Sequence, residues 1–309
     1  MQVFNGCYFV SLMSNSIHLP VLVETIFEHL ALAPGNIAVD GTMGGGGHTL
    51  EFCKRVGPDG KVFGFDRDPI AVRQTAEVLP DNGVGIAGNY ADIPEYLRQM
   101  QIDSIDAVLL DLGLSSDQLA DRDRGFSFKS DGLLDLRFDQ TAGEPAWRLI
   151  NRLGEKHLAD LIYEYGEERF SRRIARKICR IRHGETIKTA DQLARIVRSC
   201  VPRSKKHSID PATRTFQAVR IAVNEELKWL GVALKRIPDV LSVGGKFAII
   251  SFHSLEDRMV KNAFAEDGRL KVLTKRPLTA DPVEVAGNPR SRSAKLRIAQ
   301  RVEPAVLDR

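Results

Sequence analysis

The stretch Ile37 to Thr49, IAVDGTMGGGGHT, constrains this chain more than any other. Three apolar residues run into Asp40, and the turn that follows holds five glycines within seven positions, Gly41 and Gly44 to Gly47. A buried strand feeding such a loop implies positive φ angles or a backbone pressed against a ligand, since glycine alone reaches both without steric cost. Four consecutive glycines cost too much chain entropy for a plain connector, where one or two would make the turn. The loop therefore reads as the cradle of a small molecule rather than a hinge.

Around it the pattern alternates. An amphipathic helix is expected over 21–32, stopped by Pro34 and Gly35, and strands at 37–40, 61–65, 84–87 and 105–110 are separated by helical segments. Strands apolar on both faces and alternating with helices indicate a mostly parallel sheet covered on both sides, an α/β fold of Rossmann type. In such sheets ligands sit beyond the carboxyl ends of the strands, which here close on Asp40, Asp66 and Asp111. All three carboxylates are expected on one rim.

The rhythm lapses after Asp111 and returns near Arg214, where one long helix is expected to carry Phe216, Val219, Val223, Leu227, Leu230 and Leu234 on a single face. Gly244-Gly245, a strand at 246–252, a helix through Met259 and Phe264, and two late strands near 270–274 and 294–299 follow. The chain is thus divided into an extension at 1–17, a split α/β domain at 18–115 and 213–309, and an inserted helical domain at 116–212. Between Arg169 and His207 stand thirteen Lys or Arg against two acids, a balance of +11 in a chain of +4 overall. One basic lobe on an otherwise acidic protein points to a polyanion, with Arg169, Arg172, Arg173, Arg176, Arg180, Arg203, Lys205 and Lys206 as nucleic-acid contacts.

Other classes fall away. Four dispersed cysteines without CxxC spacing argue against a zinc site or disulfide framework and for a reducing cytoplasm. Seven scattered histidines, none at HxxxH spacing, give no expectation of a metal. No Lys or Arg precedes Lys54, so a secretory leader is not indicated, and no run reaches the ~18 apolar residues of a membrane span. Met13 reads as the more ordinary start, which leaves the preceding residues as an extension. Oligomeric state, monomer or homodimer, stays open.

The loop lacks the GK[ST] of a nucleoside-triphosphate cradle. A dinucleotide is harder to dismiss, because Asp66 lies twenty residues after Gly46, the spacing of an acid that holds a ribose. S-adenosylmethionine needs the same features, and D-x-T-x-G-x-G at 40–46, Tyr90 after the third strand and the acid at the tip of the fourth fit it better. A dinucleotide-dependent oxidoreductase and a non-catalytic RNA-binding protein are the rival classes.

Several segments together carry a resemblance: HLPVLVET at 18–25, DGTMGGGGH at 40–48, FDRDP at 65–69, LLDLGLSSDQL at 109–119, RGFSF at 124–128, YGEERFSRRIA at 163–175, PATRTFQAVRIAVNEEL at 211–227, SFHSLEDRMVK at 251–261 and NPRSRSAKLR at 288–297. From about His18 onward the chain resembles the ribosomal RNA small subunit methyltransferase H family, which methylates the exocyclic N4 of a cytosine in the decoding region of 16S rRNA. The resemblance implies a class I methyltransferase domain, a helical RNA-binding insert and S-adenosylmethionine as donor. It places donor contacts on Gly46, Gly47, His48, Asp66, Tyr90, Asp111 and Gln118, beside Asp40 and Gly44 of the same loop. At Tyr90 the family pattern usually has Phe, so only the ring is retained.

The implied chemistry is an in-line displacement at the donor's methyl carbon by a weakly nucleophilic amine, helped by positioning and by an oxygen that accepts an N–H. Asp111 or its neighbouring backbone is the expected acceptor, with Ser251 and His253 of SFHS forming the opposite wall. Methylation at cytosine C5 would need a cysteine nucleophile, usually in a Pro-Cys pair, and no cysteine here follows a proline.

Overall fold

The computed structural model describes residues 19–114, 118–119, 121–128, 131–202 and 210–303. Seven strands form one sheet: β1 (Ile37–Asp40), β2 (Lys61–Asp66), β3 (Gly83–Ala87), β4 (Ile105–Asp111), β5 (Leu241–Ser251), β6 (Leu270–Val272) and β7 (Lys295–Arg301), in the order β3-β2-β1-β4-β5-β7-β6. The first five pair in parallel, with Val39 between Phe63 and Val108. The antiparallel β7 separates β5 from β6, with Ala248 opposite Ile298.

Helices α1 (Val23–Leu30), α2 (Gly47–Val56), α3 (Pro69–Ala76) and α4 (Ile93–Gln99) accompany the first strands. Alternate strand residues bury against opposite layers, as the two-residue period of a pleat requires. Val39, Phe63, Phe65, Val108 and Leu110 pack with Ile93 and Leu97 on one face, while Ala38, Val62, Leu109 and Ala248 pack with Ile26, Phe27 and Phe52 on the other. Each fully buried large side chain contributes roughly 1.5–3 kcal/mol. Both faces of the sheet are therefore committed, and only its ends remain for ligands.

Between β4 and β5 lie α5 (Ala146–Arg152), α6 (Glu155–Gly166), α7 (Ser171–Arg182), α8 (Ala190–Arg198), α9 (Thr213–Asn224) and α10 (Glu226–Val240). Leu134, Ile150, Ile162, Ile174, Ile178, Leu193 and Val197 form a separate helical core. The chain then runs through α11 (Ser254–Glu266) and α12 (Pro282–Gly287).

The single long helix expected after Arg214 is two. Glu225 takes the left-handed region at φ 51°, and the apolar stripe divides there: Phe216 and Val219 enter the helical core, Leu230 and Leu234 the sheet core. Asn224 marks the break. Its amide donates to Leu136 O (2.7 Å) and Arg220 O (3.0 Å), and its Oδ1 accepts from Phe138 N (2.8 Å). Thus α9, placed with the α/β domain by the boundary expected at 213, packs with the helices of the insert. Among the described residues no helix is long and apolar enough to cross a membrane.

Candidate active site

Along the carboxyl ends of the strands runs a cleft of about 790 Å³, counting its open mouth. Its lining follows the strand order: Asp66 and Arg67 after β2, Gly41, Thr42 and Gly44 after β1, Asp111 to Leu114 after β4, and Glu256 after β5. Tyr90, Gln118, Phe138, Glu226 and Leu230 complete it.

The glycine turn closes over the sheet through specific bonds. Gly44 N–H donates to Asp66 Oδ2 at 2.8 Å, and its carbonyl accepts from Thr75 Oγ1 at 2.8 Å. A Cβ at Gly41 would run into Leu110 and Tyr90, so the strand end approaches the cleft wall as only glycine allows. Asp66 Oδ1 accepts from Asp68 N–H at 2.8 Å. Each Asp66 oxygen keeps a lone-pair site, so the carboxylate can hold both hydroxyls of a ribose. Burial, only partly offset by these two bonds, pushes its carboxyl up to about 6.

Asp111 shares the cleft with Asp66, and burial raises its carboxyl above the ordinary range. The backbone N–H of Asp111 donates to Thr42 Oγ1 (2.6 Å), tying the glycine turn to β4. Asp40 does not reach the rim. It is wholly buried beneath the turn, where Oδ2 accepts from Thr49 Oγ1 (2.7 Å) and Oδ1 from Thr42 N (3.1 Å). Burial raises its carboxyl as well. Gly46, Gly47 and His48 also lie below the lining. Gly46 takes φ 82° to begin α2 with Thr75 filling the space beside it, Gly47 abuts Pro20, and His48 Nε2 is 2.9 Å from Val21 O.

Tyr90 and Gln118 stand in the cleft wall, where an aromatic ring can offer a flat apolar surface to a ligand. Burial raises the Tyr90 phenol, which therefore stays protonated. The far wall differs from expectation. Ser251 Oγ turns away toward Lys295 O at 3.4 Å, and His253 sits behind Glu256 as the cap of α11. Glu256 and Glu226 supply the carboxylates there. Of these, Glu256 had a readable signal: SFHSLE is a polar residue followed three positions later by Glu, the spacing of a capping box.

Away from the cleft, α7 buries Ile174 and Ile178, while Arg169 just before it and Arg172, Arg173, Arg176 and Arg180 along it are exposed. The helix thus divides cleanly into a packing face and a cationic one. Arg176 has a loose pair with Glu155 (3.4 Å), of little energetic weight at such exposure. Arg203, Lys205 and Lys206 lie outside the described residues.

A dinucleotide-binding fold of strand order 3-2-1-4-5-6 is an open, mostly parallel sheet. Here β7 is antiparallel and wedged between β5 and β6, and the glycine turn, ribose-type acid and aromatic wall fit S-adenosylmethionine. Fold and site together define a class I S-adenosylmethionine-dependent methyltransferase. More narrowly, the chain belongs to the MraW methylase family, whose model matches residues 15–302.

Its relatives agree. The protein called ribosomal RNA small subunit methyltransferase H in Rhodopirellula baltica is 50% identical over 298 residues, which cover 93% of this chain and 92% of that one. The protein of the same name in Deinococcus radiodurans is 48% identical over 285 residues (92% and 89%). That of Trichlorobacter lovleyi is 42% identical over 307 residues (92% and 98%).

Proposed function

We propose that this methyltransferase modifies the exocyclic N4 of a cytosine in the decoding region of 16S rRNA, acting in the cytoplasm on RNA held in the small ribosomal subunit. The observation that carries the reading is the single cleft joining Asp66, Tyr90 and Asp111 in a chain half identical to a protein named for small-subunit rRNA. When bound, S-adenosylmethionine supplies an electrophilic methyl group on a sulfonium.

Asp66 holds the donor's ribose, Tyr90 flanks its adenine, and the backbone at Gly44 lets it lie close to the turn. Asp40, Gly46, Gly47 and His48 shape that turn from beneath, and Gln118 closes the side. Asp111 accepts one hydrogen of the attacking amine, which aligns nitrogen with methyl. Residues 116–212 form the RNA-binding unit. Arg169, Arg172, Arg173, Arg176 and Arg180, together with Arg203, Lys205 and Lys206, engage phosphates, and the target base enters the cleft unstacked.

The test uses small subunits from cells lacking the modification, incubated with labelled donor and the full chain, followed by mass spectrometry of the nucleosides. N4-methylcytidine in the RNA is the expected product. Label on another atom, or none, refutes the assignment.

A further inference from the structure

The far wall of the cleft holds two buried carboxylates in different states of compensation. Glu226 is neutralised by Arg220, whose Nε and Nη2 reach Oε1 and Oε2 at 2.9 Å each. Among the described residues no lysine or arginine forms an ion pair with Glu256, which is 2% exposed. Its Oε2 accepts from the backbone N–H groups of Phe252 (3.0 Å) and His253 (3.4 Å). That leaves Oε1 as the site with spare capacity.

Behind Oε1 stands His253, a side chain nine-tenths buried. Its Nδ1 accepts from Glu256 N–H at 3.4 Å, the arrangement of a neutral ring that carries its hydrogen on Nε2. Nε2 lies 3.0 Å from Glu256 Oε1, yet the two are out of line for a hydrogen bond and Nε2 has no partner. Glu226, His253 and Glu256 bring ligand-type atoms within 4.8 Å of one another, which raises the question of a metal. A metal needs a bare ring nitrogen, whereas this tautomer puts a hydrogen there, and Arg220 already occupies both oxygens of Glu226. Backbone N–H groups and the helix N-terminus compensate Glu256 only in part, and a buried carboxylate with no Lys or Arg beside it is costly, so its presence in the wall of a methyl-transfer cleft calls for positive charge arriving there.

We propose that Glu256 is a catalytic residue, the carboxylate that takes the proton the attacking amine must lose, and that His253 is its positioning residue. This rests on the reading given under Proposed function. The amine's lone pair forms the new N–C bond while the methyl–sulfur bond breaks and its electron pair stays on sulfur. The N–H pair remains on nitrogen, and the proton passes to Glu256 Oε1, to be released to solvent after the product leaves. Asp111 holds the amine's other hydrogen. As substrate enters, Nε2–H of His253 comes into line with Oε1, in the way apo contacts often tighten.

The test is single-turnover transfer to small subunits by the full chain, with donor affinity measured by calorimetry on the same preparations. Glu256→Gln is expected to slow turnover about 100-fold or more, the usual contribution of a positioned base, with donor affinity unchanged. Glu256→Asp keeps the carboxylate and is expected to be faster than the Gln variant; it also serves as the check should Gln fold poorly. His253→Asn retains a cap acceptor but removes the Nε2 hydrogen, and is expected to slow single-turnover transfer with donor affinity unchanged; transfer as fast as wild type overturns its positioning role. Gln-variant turnover close to wild type, an Asp variant no faster than Gln, or a loss matched by weakened donor binding overturns the role of Glu256. If the wild-type chain itself makes no N4-methylcytidine, it is the underlying function that fails.

Discussion

Replacing Asp66 by Asn is expected to act with opposite signs on the ligand-free fold and on donor binding. Burial raises the Asp66 carboxyl from 3.8 to about 6, so the native state holds that proton more tightly than the unfolded chain. Its contribution to stability therefore falls as pH rises from 3.8 through about 6. Integrating over that window gives a cost of roughly 1.6 kcal/mol at pH 5 and roughly 3 kcal/mol at pH 7. An amide does not titrate. The stability of Asp66→Asn relative to wild type is expected to rise by roughly 1.3 kcal/mol between pH 5 and pH 7. Any fixed penalty from turning an amide NH₂ toward the N–H of Gly44 or Asp68 cancels in that difference. Urea unfolding of both ligand-free proteins at the two pH values measures it. Donor affinity moves the other way. Losing one charge-assisted bond, worth about 1.5–3 kcal/mol, weakens binding roughly 10- to 150-fold. Wild-type affinity is expected to fall as pH drops below about 6, while that of the variant stays flat. A stability difference independent of pH, or a variant that binds donor as well as wild type, refutes the account of Asp66.

Three further outcomes are expected. Arg172→Ala with Arg173→Ala should weaken binding to small-subunit RNA and reduce its salt dependence by about one to two units of log–log slope, without changing donor affinity in calorimetry. Arg124→Met leaves Asp68 buried without its partner and frees the carbonyls of Arg137 and Phe138, so thermal unfolding should show a loss of about 3–5 kcal/mol, with Asp68→Asn in the same chain recovering part of it. Thr49→Val removes the hydroxyl that donates to buried Asp40, and a loss of about 1–3 kcal/mol in urea unfolding is expected.

Much of the sheet could be read from the chain because its signals are local. Strands β1, β2 and β4 are short apolar runs closed by an acid, and the glycine turn announces itself. What escaped reading depends on contacts far apart in sequence. The break at Glu225 is set by Asn224 reaching back to Leu136 and Phe138, which periodicity cannot see. Asp40 and Asp66 look alike as strand-ending acids, yet threonines beneath the turn draw one into the interior while the other faces the cleft. Glu226 and Arg220, six positions apart on two helices, meet only because the helix breaks between them. The cationic face of α7 was legible because it needs nothing beyond helical spacing.

The points where the chain leaves and rejoins the α/β layer, at Leu112 to Leu114 and at Asn224 to Glu226, both lie against the ligand edge. The accessory lobe is therefore a graft with both stitches at the mouth of the reaction chamber and none in the strands. Such a graft can be lengthened or exchanged without reordering a strand, so the lobe is free to vary while the strand ends that line the cleft stay in place.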